Sequence, residues 1–300
     1  MSELAYHVVD VFTDRSYAGN PLAVVLDADG LTDEQMQSIA REFNLSETTF
    51  VLPPTTTEAT YRARIFTPTV ELPFAGHPSV GTAWLLKSIG RFGTGTVVQE
   101  CGAGLLPIVV GDDGAELTGG PASLSDPVAS DDFVAAVGVT AEDLVGTPVR
   151  WCGCGIEFGY VHVEDATVAR AVPDMQRLAQ LGRAGVCVFS FDGQRAHSRV
   201  FAGGAGVAED PATGSAALGL GVYLVASGLL PGDGESSFTI AQGLEMGRPS
   251  QLSVVVHAEN GRVVQAKVAG GVVPVATGTI TVPTITGPTI PVPTITGPSA

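Results

Sequence analysis

The sequence predicts an α+β chain built from two similar halves, and three observations carry that prediction. Short stretches with strand-type alternation recur throughout, whereas only two long apolar helices are expected, one ending near Gly90 and one near Gly228. The motifs that open them share a layout: His77-Pro78-Ser79-Val80-Gly81-Thr82-Ala83 matches Asp210-Pro211-Ala212-Thr213-Gly214-Ser215-Ala216 in its Pro, its Gly, its hydroxyl residue and its Ala. The length of 300 residues is ample for two domains of roughly 130 to 150 residues each. Two unrelated core helices whose small residues serve packing would give the same Pro-x-x-Gly-x-Ala pattern, so the motif alone leaves both readings open.

In chain order, His7 to Phe12 alternates as an opening strand, Gly19-Asn20-Pro21 makes a turn, and Leu22 to Leu26 returns as a second strand. Thr32 with Gln35 forms a capping box, and Met36, Ile39, Ala40 and Phe43 mark one face of a helix ending near Asn44. Leu45 to Leu52 runs from a polar corner into a β-rich segment with Glu47 at the strand mouth, and Tyr61 to Phe66 alternates again. His77 then opens the first long helix, for which Gly90 suits a left-handed stop. Strands at Val97 to Glu100 and Leu105 to Val110 follow.

Between Glu116 and Asp132 the composition shifts to Gly, Pro, Ser and Asp, which marks a domain boundary. Beyond it, Phe133 to Leu144 reads as helix, and Gly159 to Val163 and Val186 to Phe191 read as strands. Asp210 is expected as the N-cap of the second long helix, with Pro211 in its first turn. Strands at Phe238 to Ala241, Leu252 to His257 and Val263 to Val268 complete the half. The expected organisation is a lobe over 1–117 carrying Glu47 and His77, a lobe over 118–271 carrying Asp210, a final strand over 272–283 returning to the first lobe, and a tail over 284–300. In that tail Val282-Pro283-Thr284-Ile285-Thr286-Gly287-Pro288 recurs at 292–298, a proline density that favours extended chain.

Apolar residues make up 45% of the chain and charged residues 15%, enough for large buried cores. A net charge of −16 with no basic cluster argues against nucleic acid as a partner and for a small molecule. An anionic substrate would then need local donors such as helix N-termini. Cys101, Cys152, Cys154 and Cys187 have neither disulfide-scaffold density nor zinc-site spacing, so reduced thiols are expected, with Cys152-Gly153-Cys154 as a buried strand. The five histidines are scattered and predict no metal centre. The first residues lack a signal-peptide pattern and no apolar run spans a membrane, so a cytoplasmic protein is expected.

Glu47, His77 and Asp210 are the titratable groups expected at a cleft. No nucleophile elbow, dinucleotide fingerprint or phosphate loop occurs, which leaves acid/base work without a cofactor. A carboxylate in a partly dry pocket can take and return a proton near neutral pH, as isomerisation by proton transfer requires. Each residue also has a plainer role: a solvated Glu before a strand, a His that caps a helix, an Asp that caps another.

Five stretches together resemble one known family. Tyr17-Ala18-Gly19-Asn20-Pro21-Leu22-Ala23-Val24-Val25, Asn44-Leu45-Ser46-Glu47-Thr48-Thr49-Phe50-Val51, Phe74-Ala75-Gly76-His77-Pro78, Glu209 to Ala216 and Gln242 to Ser250 look like the PhzF family of phenazine biosynthesis proteins, in the family's order over most of 6–282. The resemblance implies two pseudo-symmetric domains of the diaminopimelate epimerase-like fold, each a curled, mostly antiparallel sheet around a central helix, with the active site between them. It implies that Glu47 transfers the proton, that His77 and Asp210 hold and polarise the substrate, and that Gly76, Gly214 and Ser215 receive its polar groups. It further implies a homodimer that isomerises a small cyclic carboxylated substrate of the dihydro-3-hydroxyanthranilate type without a cofactor or metal, in phenazine or other antibiotic biosynthesis. Two stretches depart from the family pattern, Trp151 to Gly155 and Phe201 to Gly206, and they leave open a dihydropyrrole or proline-like substrate. A cleft that binds a small anion without chemistry is the alternative of another class.

Overall fold

The computed structural model describes residues 2–203 and 207–285. Two compact units partition the chain, one comprising the residues up to Leu117 together with those from Gly270 onward, the other Thr118–Ala269.

The first unit contains β1 (Glu3–Val11), β2 (Asn20–Val25), α1 (Asp33–Phe43), β3 (Glu47–Leu52), β4 (Tyr61–Phe66), the two-residue β5 (Glu71–Leu72), α2 (Gly76–Ser88), β6 (Gly95–Cys101), β7 (Gly104–Val110) and β8 (Gly114–Thr118). The pairing runs β1 antiparallel to β2, β2 parallel to β3, β3 antiparallel to β4, β4 parallel to β6, β6 antiparallel to β7 and β7 antiparallel to β8. Parallel steps require a crossover, and α1 and α2 supply the two. The last residues of the final strand return here, with Val272–Thr281 lying antiparallel along β1. The Val272 N–H donates to the Asp113 carbonyl just before β8, so the sheet comes round on itself.

At the centre of this unit α2 packs against β1, β2, β3, β6 and β7. It is buried on nearly every side, from Gly76 through Ala83 and at Leu85 and Leu86, as a helix enclosed by strands must be. In contrast α1 is amphipathic: the Thr32/Gln35 capping box opens it, Asn44 closes it in the left-handed conformation, and Met36, Ile39 and Ala40 pack on Val25, Phe50 and Phe66.

The second unit contains β9 (Ala122–Leu124), α3 (Asp131–Ala136), β10 (Arg150–Cys154), β11 (Glu157–His162), α4 (Asp165–Arg170), α5 (Met175–Gln180), β12 (Val186–Phe191), β13 (Arg195–Ala202), β14 (Val207–Asp210), α6 (Gly214–Ala226), β15 (Gly234–Gln242), β16 (Ser250–Glu259) and the first part of β17 (Arg262–Thr281). Its pairing runs β10 antiparallel to β11, β11 parallel to β12, β12 antiparallel to β13, β13 parallel to β15, β15 antiparallel to β16 and β16 antiparallel to β17. That is the order of antiparallel and parallel steps found in the first unit. The short β14 lies along β13 as β5 lies along β4. Gly119 donates to Ala266 in β17 and Gly120 to Cys154 in β10, which brings this sheet round as well. Inside it α6 packs against β9, β10, β11 and β16, buried from Gly214 through Val225.

Three sequence expectations need correction. The helix expected over Phe133 to Leu144 stops at Ala136, because Gly138 takes φ +68° and Thr140 starts a separate 3-10 turn with Asp143 as its capping partner. Asp210 does not cap a helix, and Pro211 is not in its first turn: Asp210 ends β14, paired with Val200, and α6 begins at Gly214 with Thr213 as N-cap. The two central helices therefore correspond as Gly76–Ser88 and Gly214–Ala226, both of 13 residues, which aligns Gly76 with Gly214 and His77 with Ser215. Residues 286–300 of the repeated tail lie outside the described residues.

Candidate active site

In the first unit the site grows from the start of two parallel strands. Asn20 is the first residue of β2 and Glu47 the first of β3, in a register that pairs Leu22 with Glu47, so both side chains belong to the same end of the sheet. The first turn of α2 brings His77 to that end, with Nε2 at 3.7 Å from Glu47 Oε2. On the other side of the ring, Asn20 Nδ2 stands 3.2 Å from His77 Nδ1. Asn20 is fully buried, His77 is 4% exposed and the Glu47 side chain 16%. Burial lowers the His77 pKa to about 3, so the imidazole is neutral at pH 7 and faces the carboxylate as an uncharged group, not as an ion-pair partner.

A buried relay stands behind this turn. Tyr61 Oη donates to Gln99 Oε1 (2.9 Å), Gln99 Nε2 to Ser79 Oγ (2.8 Å), and Ser79 Oγ to the Ala75 carbonyl (2.9 Å), which is the N-cap residue of α2. No side chain caps α2, so the first-turn amides of Gly76 and His77 remain available as donors at the positive end of the helix. Pro78, which has no N–H, occupies a position where that donor would be an orphan.

In the second unit the comparable elements hold Asp210. Thr213 Oγ1 donates to Asp210 Oδ2 (2.6 Å), while Gln242 Nε2 donates to the Asp210 carbonyl (2.7 Å) and to Thr213 Oγ1 (3.0 Å), and Gln242 Oε1 accepts from the Thr213 N–H (3.3 Å). Ser250 Oγ donates to the Pro211 carbonyl. One residue earlier, Glu209 takes two 2.8 Å bonds from Arg199, whose remaining nitrogen donates to the Ala171 carbonyl at the end of α4. Asp210 is thereby fixed through both of its neighbours while Gly214 and Ser215 open α6, again with no side-chain cap.

Of the six residues expected from the sequence, Glu47, His77 and Gly76 come together in the first unit, and Asp210, Gly214 and Ser215 in the second. Sequence reasoning passed over Asn20, Gln99, Thr213, Gln242 and Arg199. Each is a polar residue in a strand or turn that the fold buries and that therefore requires a partner.

The Cys152-Gly153-Cys154 stretch is structural. Burial pushes the Cys152 and Cys154 thiols up to about 12, so neither is a nucleophile at pH 7. Trp151–Cys154, one of the stretches that departs from the family pattern, is a buried strand against α6. The other, at 201–206, lies outside the described residues from Gly204 on. Among the described residues no three His, Cys, Asp or Glu side chains cluster as metal ligands, and no helix is long and apolar enough to cross a membrane.

Comparison with known proteins bears on this geometry. The family described as phenazine biosynthesis-like protein, PhzC-PhzF, matches residues 9–278. An uncharacterized isomerase of Mesorhizobium japonicum is 37% identical over 299 residues, covering 92% of this chain and 98% of its own. The trans-2,3-dihydro-3-hydroxyanthranilate isomerase of Pseudomonas aeruginosa is 34% identical over 273 residues, covering 88% and 95%. The crystal structure of a PhzF-family phenazine biosynthesis protein of Bacillus anthracis superposes with a TM-score of 0.85 at 28% identity, covering 94% and 100%. A predominantly sheet fold with few helices, the acid and histidine at one sheet end, and near full-length matches converge: the chain belongs to the PhzF family and is an isomerase.

Proposed function

We propose that the protein moves a proton, and with it a double bond, within a small cyclic carboxylated substrate resembling trans-2,3-dihydro-3-hydroxyanthranilate, without a cofactor. The observation that carries this reading is the pairing of Glu47 with a neutral, buried His77 at 3.7 Å. That separation exceeds a hydrogen bond, so Nε2 of the ring can serve an atom of a bound molecule while the carboxylate serves another. In this mechanism Glu47 removes a proton from an acidic C–H and redelivers it elsewhere along the conjugated system. His77 donates to the oxygen or ring position where charge develops, and the amides of Gly76 and His77 add the field of the helix terminus.

We further propose that Asp210, Gly214 and Ser215 bind substrate, Asp210 orienting a polar hydrogen of it and the α6 terminus receiving a carboxylate. The hydrogen bonds that fix Asp210 support this, since an orienting group must hold its geometry. The two units are read as copies of one ancestral lobe, supported by their common order of strand pairing. The active protein is read as a homodimer on the strength of the family resemblance.

The test is incubation of trans-2,3-dihydro-3-hydroxyanthranilate with the protein in deuterated water. Incorporation of deuterium at one ring carbon with migration of the double bond is expected. Label entering only a dihydropyrrole-type carboxylate would move the substrate assignment, and binding with no exchange into any cyclic carboxylate would replace catalysis by sequestration.

A further inference from the structure

The neutral imidazole of His77 has one N–H and one lone pair, and which nitrogen carries the proton is decided by the partner on the other side of the ring. That partner is Asn20. Its amide nitrogen is turned to Nδ1 at 3.2 Å and can only donate, so Nδ1 accepts and the proton resides on Nε2. Nε2 is itself buried, makes no hydrogen bond among the described residues, and lies nearest the Glu47 carboxylate at 3.7 Å. We propose that Asn20 is a positioning residue: by donating to Nδ1 it holds His77 as the Nε2–H form and keeps that N–H directed toward the place where substrate meets Glu47.

The backbone around Asn20 is built to hold it there. Gly19 has φ +66°, and a Cβ on it would fall 2.3 Å from the Val11 carbonyl oxygen, so only glycine admits this approach. Asn20 then pairs with Val11 in the β1–β2 register, and Pro21 follows with its restricted backbone. Asp10, buried in β1, accepts from the Tyr17 N–H at 2.6 Å and ties down the loop that delivers Asn20. A fully buried amide is costly without hydrogen bonds, which gives the residue a reason to face the ring. With the proton on Nδ1 instead, Nε2 would present a lone pair to the Glu47 carboxylate, and the site would lose its donor at the reacting end. The effect on rate rests on the reading of Glu47 as proton carrier. The ring assignment does not.

Nitrogen-15 NMR of the labelled wild-type protein at pH 7 tests the assignment without substrate. The expected result is a protonated Nε2 and an unprotonated Nδ1 coupled through the hydrogen bond to the Asn20 side-chain amide. A proton found on Nδ1 overturns the inference. With trans-2,3-dihydro-3-hydroxyanthranilate, Asn20→Leu is expected to lower kcat by about tenfold to a hundredfold, the cost of losing an outer partner that orients a histidine, with KM changed by less than about threefold. A folded Asn20→Leu protein whose kcat stays within about twofold of wild type also overturns it. Refusal of this substrate by the wild type, or full turnover by Glu47→Gln, counts against the proposed function, and the NMR result then decides the role of Asn20.

Discussion

Thr213 Oγ1 donates to Asp210 Oδ2 across 2.6 Å, so the carboxylate at the end of β14 is held by the N-cap residue of the helix that follows it. Gln242, at the end of β15, locks both residues through the Asp210 carbonyl, the Thr213 hydroxyl and the Thr213 N–H. Replacing Gln242 by Leu would strand a buried donor and a buried acceptor. We expect Gln242→Leu to lower unfolding stability by about 1–3 kcal/mol in urea titration and to reduce kcat beyond what the stability change explains.

A second prediction separates the two central helices. Gly81 and Gly219 are each the sixth residue of their helix, and each packs on the first hairpin of its own unit. The atoms nearest a Cβ at Gly81 would be side-chain methyls, Val11 Cγ2 at 2.7 Å and Leu22 Cδ2 at 2.8 Å. A Cβ at Gly219 would lie 2.3 Å from the Tyr160 hydroxyl and 3.0 Å from the Cys152 carbonyl, and that hydroxyl is committed to the Ala216 carbonyl. Gly219→Ala should therefore cost about 1–3 kcal/mol from overpacking. In Gly81→Ala the gain in helix propensity, about 1 kcal/mol, offsets much of a smaller strain. Equal losses in thermal melts of the two variants would contradict this account.

The pH dependence of stability follows from the buried histidines. His77 is held neutral in the folded state, with its pKa lowered from 6.5 to about 3, and burial lowers His162 to about 4. The unfolded chain therefore binds protons that the folded chain refuses as pH falls below about 6.5, and stability is lost through that window. His77 contributes a slope of at most about 1.4 kcal/mol per pH unit. Urea titrations between pH 7 and 5 should show a declining midpoint, and His77→Phe should flatten the decline. A midpoint independent of pH across this range would contradict the burial of these histidines in their neutral form.

Much of the scaffold was legible because its signals are local. Thr32 with Gln35 marked the start of α1, alternation over Tyr61–Phe66 marked β4, the apolar run at Val186–Phe191 marked β12, and glycines marked the ends of both central helices. The strand β13 was not legible, because Ser198 and Arg199 interrupt its apolar pattern and are buried at the cost of partners found only in three dimensions. Asp210 was misplaced for a related reason. Asp-Pro before a small-residue run is a sound N-cap pattern, and only the pairing with Val200 and the bonds from Gln242 extend the strand that far. At the site, Glu47 and His77 stood out by residue type and family resemblance, whereas Asn20 read as a turn residue: its partner is 57 positions away.

The central claim is that one carboxylate carries the proton. It is tested most directly by turnover of trans-2,3-dihydro-3-hydroxyanthranilate in deuterated water by the wild type and by Glu47→Gln, with binding measured in parallel. Glu47→Gln keeps the shape and the hydrogen-bonding oxygen but cannot cycle a proton, so the predicted result is retained binding with turnover and solvent exchange reduced by about 100-fold or more. Exchange and turnover at the wild-type rate in that variant would contradict the account.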